Sequence, residues 1–180
     1  ELCRHVAIGC ASNLGVWSTN SYFGNDVAAL EDHFRYDQDA LYSPTATQDA
    51  LTTDLEWGRL AGIGGANAQG GGHAWIVEGY DTSTDPNRLF WMNFGWGGAG
   101  NGWYTFDNVP FPVTHDMMTR VAPPFVKFVG STVAGDGSPA QPYRNLAEAL
   151  AAAPDQSTLH FRAGSDHAWT GVINRPLVLK

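Results

Sequence analysis

The chain has 180 residues, 43% of them hydrophobic and 16% charged, with 10 basic residues against 18 acidic and a formal net charge of −8. That balance excludes a disordered polyelectrolyte and argues against nucleic acid as a partner, because a phosphate backbone is met by clustered Lys and Arg. No apolar run approaches the roughly 20 residues that a membrane-spanning helix needs, and two cysteines, Cys3 and Cys10, are too few for a disulfide framework.

In chain order, Val6 to Ala11 reads as a short apolar strand, followed by a Ser/Asn/Gly loop from Ser12 to Gly24. Asn25 or Asp26 is placed to cap a helix whose Val27, Leu30 and Phe34 recur at i, i+3 and i+7. Asp37 to Ser43 is a connector or brief strand. Thr45 or Thr47 caps a second helix, with Leu51 and Leu55 on its buried side and a stop near Gly58. Leu60 to Ile63 forms the next strand, and Gly70-Gly71-Gly72 then leads to His73. Ala74 to Val77 is a buried strand and Thr82 to Asn87 a turn; Arg88 to Asn93 is the returning strand, and Thr114 to Val121 closes the sheet. Helices early and strands late predict an α+β fold, its antiparallel sheet curled around the edge that carries His73 and Asn93.

The character changes at Pro123-Pro124. Phe125 to Val129 reads as a strand, Gly130 to Pro142 as a Gly/Ser/Asp/Pro-rich bridge, and Tyr143 to Ala153 as a helix with Leu146 and Leu150 at i, i+4. Thr158 to Arg162 and Pro176 to Lys180 read as short strands.

The chemistry concentrates between residues 70 and 106. If the strands before and after the turn pair antiparallel, His73 at the start of one lies near Asn93 at the end of the other. An Asn carbonyl can accept from an imidazole nitrogen and fix its tautomer, which is the base–orienter half of a nucleophile–base–orienter set. The blander readings differ for each feature. A lone histidine ahead of a strand is usually structural. The glycine run lacks the following Lys-Ser/Thr of a phosphate loop. Trp75, Trp91, Trp96 and Trp103 could stack on a sugar, although strand aromatics more often serve as core or wall. His33, His115, His160 and His167 lack paired metal-ligand spacing, so no metal or cofactor is expected. Cys10, in an apolar stretch, reads as a small buried thiol first and as a nucleophile only second.

Gly72-His73-Ala74, a hydrophobic strand ending in Glu78-Gly79, Asn93-Phe94-Gly95-Trp96-Gly97-Gly98 and Gly102-Trp103-Tyr104-Thr105-Phe106 together resemble the carboxyl-terminal half of streptopain-type, papain-like cysteine peptidases. The likeness extends more weakly over residues 5 to 122. It implies that His73 is the catalytic histidine and Asn93 its orienter, with Trp96 at the site. Gly71, Gly72, Phe94 and Gly95 would line or shield the cleft, Phe94 standing where the family usually has tryptophan. The fold implied is a papain-like antiparallel half-barrel with a few helices over residues 1–122. A linker would follow over 123–142. Residues 143–180 would then begin a right-handed parallel β-helix, because Asp136 to Leu150 resembles the amino-terminal cap of such proteins.

Neither cysteine stands in the family's nucleophile context. The expectation is therefore a piece of a longer protein whose thiol lies upstream, inactive by itself. A protein or peptide substrate and secretion are implied, while oligomeric state is not. Two rival readings stay open: an inactive papain-like binding module, and a carbohydrate-active or carbohydrate-binding β-helix protein with a peptidase-like appendage.

Overall fold

The computed structural model of the chain describes residues 2–16, 19–83, 87–162, 176 and 178–179. In chain order these form α1 (Leu2–Gly9), β1 (Asn13–Leu14), β2 (Thr19–Asn20), α2 (Phe23–Asp32), β3 (Leu41–Ser43), α3 (Gln48–Glu56), β4 (Ala61–Ala66) and β5 (Gly72–Asp81). There follow β6 (Leu89–Asn93), β7 (Gly102–Tyr104), β8 (His115–Thr119), β9 (Val126–Val129), α4 (Leu146–Ala152), β10 (Thr158–Phe161) and β11 (Val178–Leu179). The protein is an α+β fold.

Six strands form one antiparallel sheet in the order β3-β8-β4-β5-β6-β7. Alternation along β5 buries Trp75 and Val77 and leaves Ala74 and Ile76 exposed, so the sheet has one dry face. On that face Ile63, Met92, Phe94 and Met117 close around Leu51 of α3. Each such side chain contributes about 1.5–3 kcal/mol over leaving it in water. Helix α3 starts where expected: the Thr47 side chain accepts from the Ala50 N–H at 3.3 Å. It ends at Gly58, whose φ of +69° suits glycine. Helix α2 begins earlier than its expected caps, with Tyr22 as N-cap and no capping side chain, and it buries Val27 and Ala29.

Two expectations are corrected. Val6 to Ala11 is no strand, because residues 2–9 are helix α1. Leu2, Val6 and Cys10 recur at i, i+4 and i+8, and a short apolar run does not by itself distinguish strand from helix. The helix predicted from Tyr143 begins only at Leu146. Tyr143 is bridged to Val129, its N–H donating to the Phe128 carbonyl at 2.8 Å, and Asn145 caps the helix by accepting from Glu148 N–H at 2.9 Å. The turn predicted over 82–87 and the strand over 176–180 fall partly outside the described residues.

The second sheet is parallel, in the order β11-β10-β9, with Thr158 opposite both Val126 and Val178. Strand β9 falls within the stretch expected to be linker, yet it pairs with β10 over its full length. Leu146, Ala149 and Ala153 of α4 and its end pack on Val129, Tyr143 and Leu159.

The two sheets meet through Trp57, Ala122, Val126 and Phe128. Beside them Arg59 is buried against Asp54, its Nε donating at 2.9 Å and Nη2 at 2.5 Å to Oδ1. The other Asp54 oxygen accepts from the Arg120 N–H at 2.7 Å. The Arg59 guanidinium lies 4.8 Å above the Phe128 ring, and burial pulls it below its ordinary value while Asp54 opposes that.

Candidate active site

His73 enters β5 from a hairpin built on Asn67. The Asn67 Oδ1 accepts from the N–H of Gln69 at 3.1 Å and of Gly71 at 2.8 Å, and Gly70 takes φ +81°. Those amides are already bonded, so the glycine run is a turn with no amide nest left for phosphate. Gly71 belongs to this turn, whereas Gly72 lines the cleft beside His73.

The imidazole is half-buried. Its Nε2 lies 2.8 Å from the main-chain carbonyl of Phe94. A carbonyl only accepts, so Nε2 carries the proton, and in the neutral ring Nδ1 keeps its lone pair. Trp96 lies against the ring at 4.7 Å between centroids and Phe111 at 5.2 Å, with Phe94 and Trp75 behind at 6.2 and 6.4 Å. Phe94 therefore serves twice: its side chain is core, 1% exposed, and its carbonyl holds the histidine.

Asn93 does not touch the imidazole. It sits opposite Ile76, and residues directly opposite share a face, so its side chain lies across the sheet from His73. Its Nδ2 donates to Glu78 Oε1 at 2.8 Å, and its Oδ1 accepts from the Gly95 N–H at 3.0 Å. The direct Asn93–His73 bond expected from the sequence is thus replaced by a bond through the next residue's backbone. Gly95, at φ +75°, makes the corner that turns the Phe94 carbonyl toward His73.

Beside His73 opens a cleft of about 610 Å³, lined among others by Tyr22 and Asp26 of the α2 start, Gly64 and Gly65 of β4, and His115 and Asp116 of β8. A Cβ on Gly65 would lie 2.7 Å from the Phe111 carbonyl oxygen, so only glycine lets that loop lie against β4. The same carbonyl accepts from His115 Nε2 at 2.8 Å, which holds Phe111 against His73.

The cysteines behave differently from a nucleophile. Cys3 is exposed on α1. Cys10 is buried; desolvation first, then its hydrogen bond to the Asp26 carboxylate and that group's charge, push the thiol up to about 11. An activated thiol needs the opposite, a cationic neighbour that favours thiolate.

Sequence reasoning missed Phe111, His115 and Glu78. The first two reach the site from a loop and from β8, an interior strand between β3 and β4, some 40 residues downstream, with no local motif to announce them. Glu78 was legible only as part of the Glu-Gly step after the strand. The four tryptophans are no single platform: Trp75 is core, Trp96 packs on His73, and Trp91 meets Trp103 edge-on at 5.5 Å. Among the described residues no His, Cys, Asp and Glu group is placed to hold a metal, and His167 lies outside them.

An α+β domain that presents an imidazole beside a cleft, with one nitrogen tied down and the other unpartnered among the described residues, has the parts for the acid–base side of a nucleophilic hydrolase. A family model described as the Peptidase C10 family matches residues 1–104, and the chain belongs to that family, a family of cysteine peptidases. The match takes in His73, Asn93 and Trp96 and ends at Tyr104, ahead of β8 and the parallel sheet. None of the curated proteins matches the chain. No helix among the described residues is long and apolar enough to cross a membrane.

Proposed function

We propose that this chain carries the acid–base half of a cysteine-type endopeptidase, with His73 as general acid/base and protein or peptide as substrate. The observation that carries the reading is the ring's binding: Nε2 is held by the Phe94 carbonyl, Nδ1 has no hydrogen-bond partner among the described residues, and His73 lines the cleft. In this reading Nδ1 faces a thiol supplied by chain upstream of residue 1, since Cys10 is held protonated. The thiolate–imidazolium pair forms, the sulfur attacks a peptide carbonyl, and His73 gives its Nδ1 proton to the leaving amine. Water then attacks the acyl-enzyme with His73 taking a proton back. Asn93 serves as orienter through the Phe94–Gly95 peptide, and Trp96 limits water at that bond. Gly72 keeps the cleft beside His73 clear of side chain, while Gly71 and Gly95 serve it through the turns they form, before β5 and after β6.

The domain reading belongs here too. Residues 1–122 carry the peptidase half, and the parallel stack β9-β10-β11 with α4 over its end supports a β-helix beginning near residue 123. Membership of a streptopain-type family supports secretion.

The test uses the product of the full reading frame and a denatured protein substrate under reducing conditions. Iodoacetamide-sensitive cleavage is expected, with His73→Ala lowering kcat/KM by roughly 10³-fold or more. Asn93→Ala should leave a measurable residue, kcat falling more than substrate binding. Retention of over about a tenth of wild-type kcat/KM by His73→Ala, a barrier change under about 1.4 kcal/mol, would refute the assignment. Absence of cleavage by the wild type would favour the inactive binding module. Thiol-dependent cleavage by the 180-residue chain alone would return the nucleophile to Cys3 or Cys10.

A further inference from the structure

We propose that Glu78, on the sheet face opposite His73, is a positioning residue that sets the tautomer and aim of His73 through a chain of hydrogen bonds crossing the sheet. The inference rests on the reading of His73 as the acid–base group for its catalytic consequence, and on geometry alone for the positioning itself.

The chain has three bonds. Glu78 Oε1 accepts from Asn93 Nδ2 at 2.8 Å; Asn93 Oδ1 accepts from the Gly95 N–H at 3.0 Å; and the Phe94 carbonyl accepts from His73 Nε2 at 2.8 Å. The Gly95 N–H and the Phe94 C=O are the two ends of one peptide unit. Tying its N–H to Asn93 therefore fixes the plane in which its oxygen meets the imidazole. It also polarises the unit, since donating through N–H makes the carbonyl a stronger acceptor. A carboxylate thus stands at one end of the chain and an imidazole N–H at the other, with two amides between them.

Glu78 occupies a built position. The β5–β6 register shifts between Val77 and Gly79, so Glu78 is the extra residue of a β-bulge. Bulges re-aim side chains, and here the carboxylate reaches Asn93, which the regular register sets opposite Ile76.

The buried Phe94 ring anchors one side of this peptide, and further along the loop the Tyr104 hydroxyl donates to the Gly100 carbonyl at 2.6 Å. Strand β6 ends at Asn93, and the loop beyond has left-handed glycines at 95, 97, 98 and 100. Its internal backbone bonds are long, Ala99 N–H to Trp96 O at 3.2 Å and Asn101 N–H to Gly98 O at 3.3 Å. Asn101 Oδ1 accepts from the Phe94 N–H at 3.1 Å and so secures the preceding peptide unit. Among the described residues, the Asn93 bond is the one that reaches the unit touching His73 from its amide side. With Glu78 removed, the Asn93 carboxamide is free to rotate and that grip is lost.

The experiment reads the tautomer directly, by ¹⁵N NMR of the histidine side chains in the 180-residue chain, with His73 assigned by His73→Gln. Wild type should show His73 as a single Nε2–H tautomer in the neutral ring. Glu78→Ala should give a mixture with the Nδ1–H form, whereas Glu78→Gln, which keeps an acceptor oxygen for Asn93, should restore the wild-type pattern. Helix and sheet content by circular dichroism should be the same in all three. In the full-length enzyme, Glu78→Ala should lower kcat about tenfold with KM within about twofold. An unmoved tautomer in Glu78→Ala, or a mixture equally present in Glu78→Gln, overturns the proposal. A shifted tautomer rescued by Gln upholds the positioning, and if kcat is then unchanged the fault lies with the acid–base role of His73 instead.

Discussion

Two regions of this molecule combine aromatic rings with a titratable group, and they differ in every respect that matters to chemistry. At the junction of the two sheets Asp54 and Arg59 are 2% and 5% exposed, bonded to one another, to the Arg120 backbone and over the Phe128 ring. At the strand mouth His73 is half-buried among Trp96 and Phe111, and one of its two nitrogens is held. These deeply buried charges, joined by the Asp54–Arg59 bonds although Arg59 Nη1 has no partner among the described residues, are an anchor between the two parts of the fold. The group proposed to exchange a proton is the one left incompletely engaged beside a cleft. Pairing and burial measure what a group holds together; a free lone pair at an accessible edge measures what it can do.

That contrast can be broken by stability measurements. Asp54→Ala leaves Arg59 as an uncompensated buried charge and the Arg120 N–H without its acceptor, so urea unfolding should show a loss of about 3–5 kcal/mol. His73→Ala removes one hydrogen bond at an edge and should cost under about 1.5 kcal/mol by the same assay. Equal losses would mean that His73 is an anchor too, and the contrast would fall.

The thiols sharpen it. Cys10 is held near 11 against an ordinary 9.0, two pH units that lower its thiolate population about 100-fold near neutrality. Iodoacetamide at pH 8 should therefore alkylate Cys10 about 100-fold more slowly in the native chain than in the urea-unfolded chain, as followed by peptide mass spectrometry. Comparable rates would place Cys10 among the reactive groups. The linkage has a definite sign. Because the folded value is raised, the contribution of the protonated thiol to stability is full below about 9 and is lost as pH rises through about 11. Cys10→Ala should flatten the stability profile in that window.

The smallest effect tests the element shared by both regions. Helix α3 carries Leu51 into the antiparallel core and Asp54 into the junction. Removing its cap with Thr47→Ala should cost about 1 kcal/mol, and hydrogen exchange should speed up at β4 and at β9 together. A change confined to one sheet would show that the two regions open independently.

Much of this was legible in the residues. The cap at Thr47, one of two candidates, and the Gly58 stop are local, since each depends on neighbours within a few positions, and both appear as read; the strand through Ala74 to Val77 also forms, but it buries only Trp75 and Val77 where the apolar run implied burial throughout. The same holds for His73 at a glycine-led strand mouth, which is why the family resemblance could be drawn from that stretch alone. The strand misread at Val6 to Ala11 shows the limit of locality: six residues of apolar character are compatible with either period, and here residues 2–9 are helical.

By itself, the sequence determined the class of fold, the family and the start and stop of α3, because these rest on composition and short-range pattern. Only the tertiary structure decided what the histidine is bonded to. Side chains alternate sides with every residue along a strand, so the face to which Asn93 belongs depends on its register against Ile76 and on the bulge at Glu78. Both are properties of paired strands. The Cys10 thiol meets Asp26, and Asp54 meets Arg120, across 16 and 66 positions of chain. No local pattern encodes such meetings, because burial and charge at a site are set by whichever distant segments the packed core brings there.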